Sequence, residues 1–130
     1  DIAKKVLNDE PIDVTMGYVS LIWQNDALNQ IIQCLSLADT PPVPINITGP
    51  GVHSVRDIAL RFGQLFNKEP VLTGTEAETA WLSNASKAHG LFGKPSVELD
   101  TLLQWIAAWL LESGNTFNKP TGFERRDGKF

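Results

Sequence analysis

The strongest pattern in this chain is an amphipathic helix that begins just after Ser54. Apolar side chains recur there at helical spacing, at Val55, Ile58, Ala59, Phe62, Leu65 and Phe66. Ser54 and Asp57 have the spacing of a capping pair at a helix N-terminus. A second helical run follows, with one face formed by Leu99, Leu102, Leu103, Ile106, Trp109 and Leu110. Because each helix has a single apolar face, the chain needs other layers of structure against which these faces can be buried.

Four runs of apolar and β-branched residues predict strands, at residues 12–16, 18–23, 43–47 and 71–72. In the first and third runs, apolar residues occupy alternate positions, as in a strand with one buried face. The second run is apolar at nearly every position, which predicts a strand that is buried on both faces.

A further helix is predicted near Asp26, whose carboxylate can accept hydrogen bonds from the free N–H groups of the first turn. The apolar side chains of this helix share one face: Leu28, Ile31, Ile32 and Leu35. The whole pattern predicts a mixed α/β fold in which a few short strands pack with amphipathic helices. We assign residues 1–114 to this folded unit and residues 115–130 to a polar C-terminal tail.

The composition argues against several classes of function. The chain has a formal net charge of −4, which does not favour electrostatic binding to nucleic acid. It has no apolar run of the roughly 18 residues that a membrane helix needs. Cys34 is the only cysteine, so no internal disulfide can form and a cytoplasmic location is expected. Because residue 1 is Asp rather than Met, we expect the chain to be part of a longer protein.

No complete catalytic or cofactor motif is found in the sequence. The Gly-Pro-Gly turn at 49–51 follows a predicted strand, but its proline removes an N–H group and no later glycine completes a dinucleotide fingerprint. A tyrosine–lysine acid/base pair is excluded because Tyr18 is the only tyrosine and the fourth residue after it is Ile22. His53 beside Ser54 leaves a hydrolase as a third interpretation, although capping explains Ser54 more simply. Two histidines and one cysteine make no metal-ligand spacing.

Five short segments carry motifs whose order and spacing are more specific than any one of them. They are residues 10–17 (EPIDVTMG), 21–27 (LIWQNDA), 45–50 (INITGP), 54–59 (SVRDIA) and 84–95 (NASKAHGLFGKP). In the same order, these segments resemble the GEPIPLYG, RDFIYVDDVA, YNVTGP, SVRELA and D-x-S-K-A-x-x-x-L-G-x-P motifs of extended short-chain dehydrogenases/reductases. The chain therefore resembles the NAD-dependent epimerase/dehydratase family.

This resemblance implies the C-terminal, substrate-side lobe of a larger cytoplasmic enzyme, an NAD(P)-dependent oxidoreductase, epimerase or dehydratase. It implies an N-terminal Rossmann domain, outside this chain, that binds NAD or NADP and carries the catalytic tyrosine and lysine. No catalytic, cofactor-binding or metal-binding residue is therefore assigned to the chain itself. A homodimer is compatible with this assignment.

The resemblance also implies which residues line the substrate. Met16, Gly17 and Tyr18 fall in the family's substrate-lining loop, although an ordinary turn with a packed tyrosine is the alternative. Trp23 is a further candidate, either for the substrate pocket or for the core. Nucleotide-sugar enzymes of the family carry an arginine just before the second motif, and residues 18–20 contain none. A smaller substrate, such as a sugar, a sugar acid or a polyol, is therefore implied.

Other side chains near the C-terminus leave alternatives open. Trp105 and Trp109 lie on one side of the last predicted helix. They either pack in the core or contact the N-terminal domain outside this chain. Arg125 and Arg126 either reach an anionic group of the substrate or lie in a solvated tail. A different class of function, a freestanding non-catalytic binding or interaction domain derived from this lobe, also fits. A glycine-rich fingerprint and a Tyr-x-x-x-Lys motif upstream would favour the enzyme.

Overall fold

The computed structural model describes residues 1–127 and confirms the predicted mixed α/β class. Its α-helices are α1 (Ile2–Leu7), α2 (Gln24–Cys34), α3 (Val55–Phe66), α4 (Ser86–Phe92) and α5 (Leu99–Leu111). A 3₁₀ turn, Leu35–Leu37, extends α2. The strands are β1 (Ile12–Asp13), β2 (Tyr18–Val19), β3 (His53–Ser54) and β4 (Leu72–Thr73). None of the helices over residues 1–127 has the length and apolar content needed to cross a lipid bilayer.

The strands form two separate pairs. β1 lies parallel to β4 with Ile12 opposite Leu72, and β2 lies antiparallel to β3 with Tyr18 opposite Ser54. Each pair joins segments that are distant in the sequence. Together they fix both ends of the loop at residues 14–17, which connects β1 to β2.

The core lies among α1, α3, α5 and β1. As predicted, the Ser54 hydroxyl caps α3 by accepting a hydrogen bond from the Asp57 N–H (3.1 Å). Asn67 ends this helix in the left-handed backbone region, with a φ of 53°. The buried apolar side chains of the core are Ala3, Val6, Ile12, Val14, Val55, Ile58, Ala59, Phe62, Leu103 and Ala107. Because Val14 is part of this set, the loop after β1 starts from inside the core.

Three of the predicted strands differ from expectation. β1 ends at Asp13 because its carboxylate accepts hydrogen bonds from the backbone N–H (2.8 Å) and the hydroxyl (2.5 Å) of Thr15, which closes a turn. β2 is limited to Tyr18–Val19, and the prediction that residues 18–23 are buried on both faces was wrong. Residues 43–47 form no strand, since no strand lies beside them within residues 1–127.

Asp26 does not cap α2, which begins two residues earlier at Gln24. Its carboxylate accepts hydrogen bonds from the Ser96 hydroxyl (2.8 Å) and the Val97 N–H (3.0 Å). Burial alone would raise the pKa of Asp26, but these hydrogen bonds outweigh it and hold the pKa below its usual range. Asp26 therefore ties α2 to the segment that leads into α5.

The apolar side of α2 forms as predicted but faces solvent. We call it the α2 face, and its members are between 46% and 75% exposed: Leu28, Ile31, Ile32 and Leu35. The inner side of the helix instead buries Gln30, whose amide nitrogen donates to the carbonyl oxygen of Gly93 (3.0 Å). Contiguous exposed apolar side chains of this kind mark a contact surface.

Candidate functional site

The loop at residues 15–18, which we call the Met16 turn, is held by two other parts of the chain. The Ala77 N–H donates to the carbonyl oxygen of Thr15 (3.0 Å). The Val55 N–H, at the start of α3, donates to the carbonyl oxygen of Gly17 (2.9 Å). These backbone bonds fix the position of the turn against the core, so its side chains point in defined directions.

The three candidate residues of the Met16 turn differ in accessibility. Met16 is 3% exposed and belongs to the interior, whereas Tyr18 is 46% exposed. Gly17 has a φ of 73°, in the left-handed region that glycine adopts at little cost. Tyr18 is therefore the candidate side chain that a molecule outside the chain can reach, whereas Met16 and Gly17 are buried.

An ion pair lies beside the turn. The Arg56 Nε atom donates to Glu76 Oε1 at 2.5 Å, and the Cβ of Glu76 lies 3.6 Å from where a Cβ on Gly17 would be. The hydrogen bond from Arg56 lowers the pKa of Glu76, and the same bond raises the pKa of Arg56. Neither group is thus adjusted for proton transfer near neutral pH, and the pair serves to hold the segment over the turn.

Arg126 reaches the Met16 turn from the C-terminal segment. Its Nη1 atom donates to the carbonyl oxygen of Thr79 (2.7 Å), and its Nη2 atom donates to the Thr79 hydroxyl (2.6 Å). Nη1 also lies 3.8 Å from the Sδ atom of Met16. Arg126 is therefore held against the turn, although its bonds to Thr79 lie at the exposed surface. No local pattern in the sequence shows this contact, because 110 residues separate Arg126 from Met16.

The segment before Arg126 is attached to the first residues of the chain. The Thr121 hydroxyl donates to the Asp1 carboxylate (2.7 Å), and the Lys5 amine lies 3.5 Å from the Glu124 carboxylate. These contacts run along α1. They place Arg126 at the turn, although residues 112–127 form no regular secondary structure.

Trp23 lies in a different place from the Met16 turn. It lines a groove of about 1060 Å³ together with Trp105, Trp109 and residues 116–121, which we call the tryptophan groove. The rings of Trp23 and Trp105 pack edge to face, with centroids 5.2 Å apart. None of residues 16–18 lines this groove. The structure therefore brings three of the four candidate residues together and separates Trp23 from them.

The residues of the hydrolase interpretation have structural roles. Ser54 caps α3, and His53 pairs with Val19 between β3 and β2. The second histidine, His89, places its Nε2 atom 2.9 Å from the carbonyl oxygen of Thr48. In the part of the chain that the structure describes, no three His, Cys, Asp or Glu side chains group as a metal site requires.

The turn at residues 49–51 does not fit a dinucleotide. A Cβ added at Gly49 would lie 1.9 Å from the carbonyl oxygen of Leu21, so the backbone there is closed by another segment of the chain. Pro50 has no N–H group to offer to a pyrophosphate. Gly49 is required by this close approach of two backbones, and it is not open to a ligand.

The chain has structural relatives, although no protein-family model and no curated protein matches its sequence. UDP-glucuronic acid 4-epimerase from Bacillus cereus in complex with NAD has a TM-score of 0.65 and 19% identity, over 88% of this chain and 39% of that chain. dTDP-glucose 4,6-dehydratase from Bacillus anthracis in complex with NAD has a TM-score of 0.67 and 15% identity, over 85% and 37%. UDP-glucose 4-epimerase from Thermotoga maritima with UDP-glucose has a TM-score of 0.67 and 16% identity, over 86% and 38%. The chain therefore shares its fold with part of each of these three enzymes.

This likeness confirms, at the level of the fold, the resemblance carried by the five sequence segments. The chain spans about two fifths of the length of each of these three structures. Partial coverage of this kind is what the prediction of a C-terminal, substrate-side lobe requires.

Proposed function

We propose that this chain is the substrate-side lobe of an NAD(P)-dependent oxidoreductase, epimerase or dehydratase. The observation that carries the proposal is the partial match: 85–88% of this chain aligns with 37–39% of two epimerases and a dehydratase. In this proposal a Rossmann domain, N-terminal to the chain, binds NAD or NADP and carries the tyrosine–lysine pair. The single cysteine is compatible with the cytoplasm, where such an enzyme would act.

The α2 face supports the presence of this partner domain. A helix that buries Gln30 and exposes Ile31, Ile32 and Leu35 has its apolar side directed away from its own core. A domain packed on this side would remove these side chains from water, and each would contribute to the stability of the whole protein. We assign the α2 face to the contact with the Rossmann domain.

The Met16 turn supports a role in holding the substrate. Its backbone is fixed by Ala77 and Val55, and its exposed side chain, Tyr18, can pack against a ligand without moving the core. In this role Gly17 lets the turn pack closely against Glu76 and Ala77, and the buried Met16 supports the turn. Trp23 contributes indirectly, through the tryptophan groove.

The proposed substrate is a sugar, a sugar acid or a polyol. Two of the similar structures are of a UDP-glucuronic acid epimerase and a UDP-glucose epimerase, so a carbohydrate fits the fold. Residues 18–20 hold no arginine for the phosphates of a nucleotide sugar, which favours a smaller molecule. When bound, the nicotinamide cofactor supplies the hydride chemistry. This chain binds and orients the substrate and keeps water away from it.

Variants of the full-length protein test this proposal. Tyr18→Ala is expected to raise the KM for the substrate with little effect on folding, because the side chain is 46% exposed. The turnover of NAD is followed by absorbance with aldoses, sugar acids and polyols. Leu60→Ala is the control, because it removes an apolar side chain of α3 that is 45% exposed, nearly as much as Tyr18, and that lies outside the turn and the tryptophan groove. An unchanged KM in Tyr18→Ala would contradict the role of the turn.

The tryptophan groove favours one second candidate, a freestanding binding domain. Its volume of about 1060 Å³ and its three tryptophan side chains would suit a small molecule without any catalytic residue. The upstream coding sequence distinguishes the two candidates. A glycine-rich fingerprint followed by Tyr-x-x-x-Lys supports the enzyme, and the absence of both supports the binding domain.

A further inference from the structure

We propose that Arg126 binds an oxyanion of the substrate, a carboxylate or a phosphate, at the Met16 turn. This inference rests on the proposed function and names the charged group that the substrate carries. It starts from the position of the guanidinium: its Nη1 atom lies 3.8 Å from the Met16 sulfur, and both of its terminal nitrogens donate to Thr79.

Within residues 1–127, the hydrogen bonds from Arg126 to Thr79 use only part of the guanidinium. Thr79 accepts one bond at its carbonyl oxygen and one at its hydroxyl, whereas an arginine side chain has more N–H donors than these two groups accept. The partners of Arg126 in these bonds, and the Met16 sulfur, are all neutral. A partly buried cation held by neutral groups keeps its charge and gains from an anion placed against its remaining donors.

The contact with Thr79 also fixes the direction of the guanidinium plane. A planar fork that is held at two points is suited to bidentate binding of a carboxylate or a phosphate. Two exposed aromatic side chains follow the contacts of Arg126 in the sequence: Tyr18 lies two positions after Met16, and Trp81 lies two positions after Thr79. They are 46% and 60% exposed. Exposed aromatic rings together with a fixed cation match a molecule that has both a ring and an oxyanion.

The test uses the full-length protein loaded with NAD and measures binding by calorimetry. The probes are D-glucuronate, which carries a carboxylate, and UDP-glucose, which carries phosphates. We expect Arg126→Gln to weaken the binding of one of these two probes by about 10- to 100-fold, because the variant loses a charge-assisted bidentate contact. The probe that responds identifies which oxyanion Arg126 binds.

Two control variants separate charge from structure. Lys87→Gln removes one positive charge at an exposed position of α4 and is expected to bind both probes as the unmodified protein does. Thr79→Val removes the hydroxyl that accepts from Arg126 but keeps the guanidinium, so it is expected to lose less affinity than Arg126→Gln. Equal losses in Thr79→Val and Arg126→Gln would show that Arg126 only fastens the C-terminal segment, and would overturn the inference.

Two further results would also overturn it: unchanged affinity in Arg126→Gln, or no binding of either probe by the unmodified protein. In these cases NAD still binds, and the proposed function stands. If the unmodified full-length protein binds neither NAD nor NADP, the proposed function fails and the inference fails with it.

Discussion

Replacing Ile32 with alanine is expected to destabilise the full-length protein by about 1–2 kcal/mol, although the side chain is 64% exposed in this chain. Complete burial of an isoleucine side chain contributes about 1.5–3 kcal/mol, so the exposed fraction leaves roughly two thirds of that gain to a partner. If nothing covered the α2 face, the same substitution would change the stability by less than about 0.5 kcal/mol.

Urea denaturation of the full-length protein measures this difference as a shift of the midpoint at constant slope. Ile58→Ala is the matched control, since Ile58 is 3% exposed in α3 and its truncation costs about 2–5 kcal/mol whatever covers α2. A large loss in Ile58→Ala together with no measurable loss in Ile32→Ala would refute the assignment of the α2 face to a domain contact.

Three other substitutions, the first of them with a matched control, test the structure by thermal or urea unfolding. Gly49→Ala is expected to lower the free energy of unfolding by about 3 kcal/mol, because the added Cβ would lie 1.9 Å from the carbonyl oxygen of Leu21. Gly90→Ala is the control: a Cβ there would have no atom within 4 Å, so the substitution is expected to be neutral or stabilising. Asp26→Asn is expected to cost about 1 kcal/mol at neutral pH. The pKa of Asp26 is lowered in the folded state. The difference in stability between the unmodified protein and Asp26→Asn is therefore fully present above the ordinary aspartate pKa of about 3.9, and it disappears as the pH falls through the folded-state pKa. A difference that persists at the lowest pH would contradict this role. Ser54→Ala is expected to lower the free energy of unfolding by about 1 kcal/mol, because the helix cap is lost, and to leave kcat unchanged. A loss of activity would instead restore the hydrolase interpretation.

The elements that the sequence predicts well are those with a local cause. α3 and α5 follow from apolar side chains at helical spacing, and Ser54 caps α3 as its position indicates. The order of five short motifs predicts the lobe, because spacing along a chain reflects the spacing of elements in a fold. These signals need no knowledge of distant parts of the chain.

The predictions that failed depend on contacts between distant residues. The strand at 43–47 needs a partner strand, and the described residues supply none. Asp26 has the position of a cap, but Val97 offers its carboxylate a better-placed N–H group. Periodicity also cannot tell whether an apolar face points inward, so the spacing of its residues could not predict that the α2 face is exposed. The contact between Arg126 and Met16 joins residues that are 110 positions apart, so no local pattern predicts it.

Calorimetric titration of NAD and NADP into this chain and into the full-length protein tests the central claim most directly, with the folded state of both checked by circular dichroism. We predict that the full-length protein binds one of the two dinucleotides and that this chain alone binds neither. Binding by this chain alone would contradict the assignment of a substrate-side lobe and would require a new explanation for the turn at 49–51. Binding by neither would favour the freestanding domain.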